Sequence, residues 1–527
     1  MTKLRIVFVI FFILLVVPIY RYYLLSIDRE LFIEAADQRS NSSELNIYPR
    51  KKIYDRFGTE LAADIIRTTL LFNSQKDKDI ALEVLGKNST NIFLNTNRRL
   101  YLENRLNQST LKKIMSECNC APIMEPRFKR YYPYGSIYGP IIGFSGTDGG
   151  LEGIEKIENS KLTIKKRKSS FVQSRRGEKL SGQVDDYISI DESEGLNLTL
   201  DTNLQFKLFE EMKKAIVESK AKGGSAVIMN AENGHILAMV SLPTFNPNDP
   251  ARVIQRNKVI EDFFEPGSLI KPITLAGAIK LNLIEKDSVI DTNPGFITLS
   301  GYKRSEAGGK NFGKLKVSEI ISKSSQVGTA KISVKFSSEE IRKNLRDFGF
   351  NKPIDIEWIT NSIGNMIDSP KLYDIDKASL GYGYSVTSNS IQIARAYSVF
   401  ANEGIMVEPR IYLDSVEKRT RITSKDIADF ILDSLRMTVI EGTADNLINE
   451  KVNIAGKTGT SEKYIEGVGY AEEKYISSFA SIFPYEKPKF IMVVLIDEPD
   501  PNNYFGGIVS APVVARLSQF MERLNYL

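Results

Sequence analysis

A serine hydroxyl is a weak nucleophile until a neighbouring base takes its proton, and a desolvated lysine can be that base. In Glu265-Pro-Gly-Ser268-Leu-Ile-Lys271-Pro272 the two residue types stand three apart. If Ser268 opens a helix, Lys271 shares its face. Burial and a second nearby cation would each lower the lysine's pKa towards the range where it accepts protons, and a helix N-terminus would add oriented N–H groups beside the hydroxyl. The spacing alone carries little, because Ser109–Lys112, Ser219–Lys222, Ser300–Lys303 and Ser415–Lys418 repeat it. The company it keeps is informative. Ser324-Ser325-Gln326 lies on the helical stretch after Val317, and Lys457-Thr458-Gly459-Thr460 follows Asn453-Ile-Ala-Gly456 at the start of an expected edge strand. A lone Lys-Thr-Gly is usually a surface turn. Three such motifs in order point to one site.

Two scarcities narrow the chemistry. The single histidine, His235, excludes centres built from several histidines, and its place at a hairpin turn argues against a catalytic role. Cys118 and Cys120, two apart, are too few for a zinc site and are expected to be unreactive or locally paired. No metal or cofactor is called for. A net charge of +5 over 527 residues is too mild to indicate nucleic-acid binding.

The elements that must carry these motifs begin near residue 196. Leu196-Asn-Leu-Thr-Leu200 alternates, and Asp201 caps a helical pattern through Leu204, Leu208 and Met212. Ser225–Asn230 and His235–Val240, separated by Glu232-Asn233-Gly234, read as a hairpin of buried strands. Tyr475–Ile482 and Phe490–Ile496 look like two more strands, and Ala511–Leu524 like a closing helix. Strands at both ends with helices between predict an α+β domain whose sheet joins distant sequence.

Between residues 26 and about 190 the chain is polar and irregular. Turns are expected at Gly58, at Tyr132-Pro133-Tyr134-Gly135 and at Thr147-Asp148-Gly149-Gly150. The basic run Lys165-Lys166-Arg167-Lys168, with Arg175 and Arg176, reads best as a solvated hairpin, with anionic lipid or polymer as the alternative. At the N-terminus an apolar run from Ile6 to Tyr20 is extended past Arg21 by Tyr22, Tyr23, Leu24 and Leu25. No small-x-small cleavage site follows, so an uncleaved single-pass anchor is expected. Lys3 and Arg5 place the N-terminus in the cytoplasm and the bulk of the chain outside.

The pairing of Ser-x-x-Lys with a Ser-x-Asn-like motif and Lys-Thr-Gly is a known association of β-lactamases and penicillin-binding proteins. Gly224–Asn248, Phe264–Thr274, Leu380–Gly404 with Gly381-Tyr-Gly383 and Ala401-Asn402, and Gly456–Thr460 resemble class B penicillin-binding proteins. Arg56-Phe-Gly58 and Gly150-Leu-Glu-Gly-Ile-Glu155 resemble that family's pedestal, and Tyr504-Phe-Gly-Gly507 with Ser510-Ala-Pro512 its septal, cell-division branch. The elongation branch is the close competitor. The resemblance implies a cytoplasmic tail (1–4), a transmembrane anchor (5–25), an elongated pedestal (26–190) and a transpeptidase domain (191–527), mainly antiparallel sheet with helices on both sides, in the cytoplasmic (inner) membrane.

It also implies a peptidoglycan D,D-transpeptidase. Ser268 would attack the D-Ala–D-Ala carbonyl of a stem peptide on lipid-linked peptidoglycan, with Lys271 as general base. Ser324 would relay protons, with Gln326 beside it. Lys457 would fix the terminal carboxylate as a point charge, helped by Thr458 and Thr460 around Gly459. The N–H groups of Ser268 and Thr460 would form the oxyanion hole. β-Lactams would acylate the same serine, and the expected partners are a polytopic glycan polymerase and other division proteins. Gln326 departs from the family's asparagine by one methylene, so either the pocket compensates or the enzyme acylates slowly, with a catalytically weakened division scaffold as the further alternative. Lys51-Lys52 stand where the pedestal motif carries Arg-Gly, which puts the local backbone there in doubt. A D,D-carboxypeptidase would use the same groups with water as acceptor. A class A β-lactamase would need its Glu-x-x-Leu-Asn element after the nucleophile, and here Glu103–Asn107 precedes it.

Overall fold

The computed structural model describes residues 2–27, 41–45, 49–86, 92–96, 98–103, 106–146, 149–164, 168–173, 179–181, 195–249, 256–354, 363–448, 450–465, 467 and 469–527. The basic run from Lys165 to Arg167, with Arg175 and Arg176, and Thr147-Asp148 of the expected turn lie outside the described residues. The N-terminal apolar run forms one helix, Thr2–Ile27. Its stretch Arg5–Leu24 is long and apolar enough to cross a membrane, and none of it is buried. Pro18 falls within the helix.

The chain forms two compact units, each assembled from separated stretches. The first holds residues 1–50, 66–129 and 163–194. Here Thr69–Leu71 pair with Arg99–Tyr101. Helix Gln75–Leu85 starts at Ser74, whose hydroxyl accepts the Asp77 N–H at 3.1 Å, as an N-cap should. Leu70, Phe72, Ala81, Leu100 and Ile114 make its small core. Cys118 and Cys120 are disulfide-bonded, with Asn119 between them in the left-handed region at φ 47°.

The second unit holds 51–65, 130–162 and 195–527. Its centre is a five-stranded antiparallel sheet in the order Ile236–Leu242, Gly223–Asn230, Phe490–Asp497, Gly469–Phe483, Ala455–Ile465. The period of two assigns the faces. Val227, Met229, Ile491, Val493 and Leu495 enter one core with helices Lys271–Lys280, Ser390–Ala401 and Lys425–Ile440. Ala226, Ile228, Met492, Val494 and Ile496 enter the other with Thr202–Glu218 and Ala511–Arg523. Asp201 caps Thr202–Glu218, accepting the N–H groups of Asn203 and Leu204. The sheet therefore carries strands from near residue 225 to near residue 490 side by side, as the α+β reading requires.

Stretches that precede residue 190 contribute a buried ionic cluster to this unit. Arg130 Nε lies 2.6 Å from Glu155 and Nη1 3.1 Å from Asp64, all three side chains under a tenth exposed. The two carboxylates outweigh desolvation and raise the guanidinium's pKa. The turn at Gly58 is present at φ +83°, with Asp55 accepting the N–H groups of Phe57 and Thr59. His235 accepts a 2.6 Å hydrogen bond from Arg410 Nη2, and burial, aided by that charge, lowers its pKa to about 4.

Candidate active site

Ser268 sits on a single 3₁₀ turn, Gly267–Ile270, that runs directly into helix Lys271–Lys280. The tighter winding matters, because at three residues per turn positions i and i+3 eclipse. Ser268 and Lys271 thus stand one above the other, with the Lys271 N–H donating to Ser268 O. The turn is pinned from outside. Gly267, at φ +53°, donates its N–H to Gly383 O at 3.0 Å, and Tyr397 donates to Leu269 O at 3.0 Å. Gly383 approaches so closely that a Cβ there would lie 2.0 Å from Gly267 O. Gly381 and Gly383 are tight backbone positions at the edge of the site.

Lys271 is 3% exposed. Its Nζ donates to Ser324 O at 2.6 Å and to Ser324 Oγ at 3.1 Å. Burial lowers its pKa to about 7, against the opposing pull of Glu306. Ser268 Oγ, half-buried, makes no hydrogen bond among the described residues. Ser324 holds a left-handed φ of +58°, uncommon for a residue with a Cβ and a cost of about 1–3 kcal/mol that the surroundings must impose. It delivers both Ser324 oxygens to one amine. Ser325 caps helix Gln326–Ser333, accepting the Gly328 N–H. Its hydroxyl donates to Glu306 at 2.5 Å, and Glu306 also accepts the Gln326 N–H at 2.7 Å. A carboxylate at this helix N-terminus is well placed electrostatically. The Gln326 side chain, half-buried, makes no hydrogen bond among the described residues.

The Lys457 segment lies on Ala455–Ile465, at the edge of the sheet. Alternation divides it between two faces. Gly459 faces the nucleophile turn, where a Cβ would meet Leu269 Cγ at 3.0 Å and Ser478 Oγ at 2.3 Å. Lys457 shares that face and is fully buried, its Nζ donating to Thr458 O at 3.1 Å. Burial, and then the Lys271 charge, holds its pKa well below the usual lysine value. Thr458 and Thr460 take the opposite face. Thr458 Oγ1 is 2.5 Å from Thr443 Oγ1, and Thr460 Oγ1 accepts the Gly506 N–H at 3.2 Å. The structure thus brings together Ser268, Lys271, Ser324 and Lys457, and sets the two threonine hydroxyls apart from the lysine expected to work beside them.

Three participants escaped the sequence reading. Glu306 holds the start of the Gln326 helix, Thr443 meets Thr458, and Glu265 accepts Ser385 N–H at 2.8 Å and Tyr470 O–H at 2.9 Å next to the nucleophile turn. Glu265 could have been suspected from its place three residues before Ser268. Nothing local marks the other two.

Residues 224–519 match the model of the penicillin binding protein transpeptidase domain. The chain is 30% identical to peptidoglycan D,D-transpeptidase FtsI of Buchnera aphidicola subsp. Schizaphis graminum, over 97% of this chain and 93% of that protein. It is 27% identical to peptidoglycan D,D-transpeptidase FtsI of Escherichia coli K12, over 92% and 85%. Its fold is similar to that of penicillin binding protein 3 from Mycobacterium tuberculosis, solved with aztreonam, at TM-score 0.69 and 23% identity over 92% and 97% of the two chains.

Proposed function

Since this chain belongs to the penicillin-binding protein transpeptidase family, we propose that the cleft around Ser268 performs the acyl transfer of a septal peptidoglycan D,D-transpeptidase with the residues placed above. Lys271, whose pKa of about 7 leaves much of it neutral near neutral pH, takes the Ser268 proton. Ser268 Oγ bonds to the penultimate D-alanine carbonyl, the bond to the terminal D-alanine breaks, and the leaving nitrogen receives a proton through Ser324. An amine of a second stem then attacks the ester, giving its proton back along the same path and freeing Ser268. The N–H groups of Ser268 and Thr460 would hold the oxyanion, where one donor is worth about 3–4 kcal/mol.

Lys457 takes a different part from a point charge on the carboxylate. It is fully buried on the face away from Thr458 and Thr460, and burial, then the Lys271 charge, disfavours its own protonated form. The substrate carboxylate then belongs to the two threonine hydroxyls. Gln326 would meet the stem backbone with its free amide. The helix Thr2–Ile27 would anchor the chain once through the inner membrane with residues 1–4 cytoplasmic and the remainder outside. Residues 26–190 would form the pedestal and 191–527 the catalytic domain, and a glycan polymerase and other division proteins are the partners expected there.

The observation that carries this reading is the buried Lys271 amine, eclipsed with Ser268 and held by both oxygens of Ser324. Fluorescent penicillin tests it: the wild type should acquire a covalent label that Ser268→Ala lacks. A folded wild type that takes no label would instead support the weakened scaffold.

A further inference from the structure

We propose that Thr443 is a positioning residue for the substrate's carboxylate, turning the Thr458 hydroxyl outward to donate to it; this rests on the acyl-transfer reading above. Thr443 comes from the loop after helix Lys425–Ile440, outside the motifs themselves. Its Oγ1 lies 2.5 Å from Thr458 Oγ1, and its N–H donates to Ser322 O at 3.3 Å, two residues before Ser324. One residue therefore ties the serine motif to the lysine-threonine strand. The fit is close on both sides. A Cβ at Gly442 would lie 2.4 Å from Ser322 O, and one at Gly507 would lie 2.2 Å from Thr443 O.

Counting protons gives the role. Thr460 Oγ1 already accepts from the Gly506 N–H, so its own proton is available to a ligand. Thr443 and Thr458 hold two protons between two oxygens, and their mutual hydrogen bond uses one. When Thr443 is the donor, the Thr458 proton is left to point away from it. Two hydroxyl protons on one strand face, from Thr458 and Thr460, then match the two oxygens of a carboxylate. Thr458 is 6% exposed whereas Thr443 is exposed, so the pair lies at the boundary between core and solvent, where an acidic group can reach it.

The test uses the full-length protein in detergent with two probes for Ser268. One is fluorescent penicillin, which carries a carboxylate, and the other is an aryl boronic acid that carries none. Thr443→Val should raise the apparent Kd for penicillin about tenfold, the size of one hydrogen bond to a charged group. The limiting acylation rate and the boronate affinity should stay as in the wild type, and Thr443→Ser should restore penicillin binding. Unchanged penicillin binding in Thr443→Val, or an equal loss with the boronate, would overturn the proposal, the latter because it would mark a packing role. A wild type that binds the boronate but not penicillin would remove the carboxylate site and spare the reactive serine. If neither probe reacts, the acyl-transfer reading itself falls, and this inference with it.

Discussion

Two of the places where the second unit buries cations treat them in opposite ways. Arg130 is surrounded by Glu155 and Asp64, and its charge is reinforced. Lys271 and Lys457 are buried at least as deeply, yet neither forms an ion pair among the described residues, and both have lowered pKa values. Glu306, the carboxylate that does act on Lys271, is engaged by Ser325 Oγ and the N–H groups of Gln326 and Val327. The first arrangement stabilises a charge and the second withholds that stabilisation. A base that must accept a proton near neutral pH needs the second.

Substitutions should separate the two. Lys271→Met removes the base, and penicillin acylation should fall by about 10²–10⁴-fold. Because a buried amine without an ion-pair partner among the described residues gives way to an apolar side chain of similar length, the thermal midpoint should hold or rise. A large drop in the midpoint would show that Lys271 is structural, like Arg130. Glu155→Ala should do the reverse, since it leaves a buried guanidinium with only one of its two carboxylates, at a cost of up to about 3–5 kcal/mol. Its melting temperature should fall while the folded fraction acylates at the wild-type rate, measured by labelling well below the midpoint.

The contrast also explains what the sequence could and could not disclose. Strands such as Gly223–Asn230 and Phe490–Asp497 announce themselves through period-two apolar runs, and Asp201 marks the start of its helix through local cap chemistry. Ser268 and Lys271 were legible because their relation is three residues of one turn. The Arg130 cluster was not, because Asp64, Arg130 and Glu155 meet only through tertiary folding. Glu306 and Thr443 were hidden for the same reason. The placement of Lys457 needed one more fact. Alternation puts Lys457 and Thr458 on opposite faces whatever the fold, but which face meets the nucleophile turn depends on the helices packed against the sheet. The two compact units, each woven from separated stretches, were likewise beyond a linear reading.

The cleft also holds an amide that no protein group engages among the described residues. The Gln326 side chain makes no hydrogen bond among the described residues and carries one methylene more than asparagine. If that length displaces the amide by near 1 Å, Gln326→Asn should accelerate acylation by up to about a hundredfold. Stopped-flow acylation measures it directly. An Asn variant slower than the wild type would mean that the surrounding pocket has been fitted to glutamine.

The smallest effect probes the withheld carboxylate itself. Lys271 accepts a proton only when neutral, so the acylation rate should rise with pH through about 7, changing about tenfold between pH 6 and pH 8. Glu306 pulls that pKa upward. Glu306→Gln keeps an acceptor oxygen for Ser325 and the helix N-terminus but removes the charge. Its profile, normalised to the plateau, should therefore move to lower pH. A profile that stays in place would mean that burial alone sets the amine, and one that moves to higher pH would contradict the electrostatic account of the cleft. Arg130 provides the internal control, because a guanidinium held by two carboxylates should contribute no step in the same pH range.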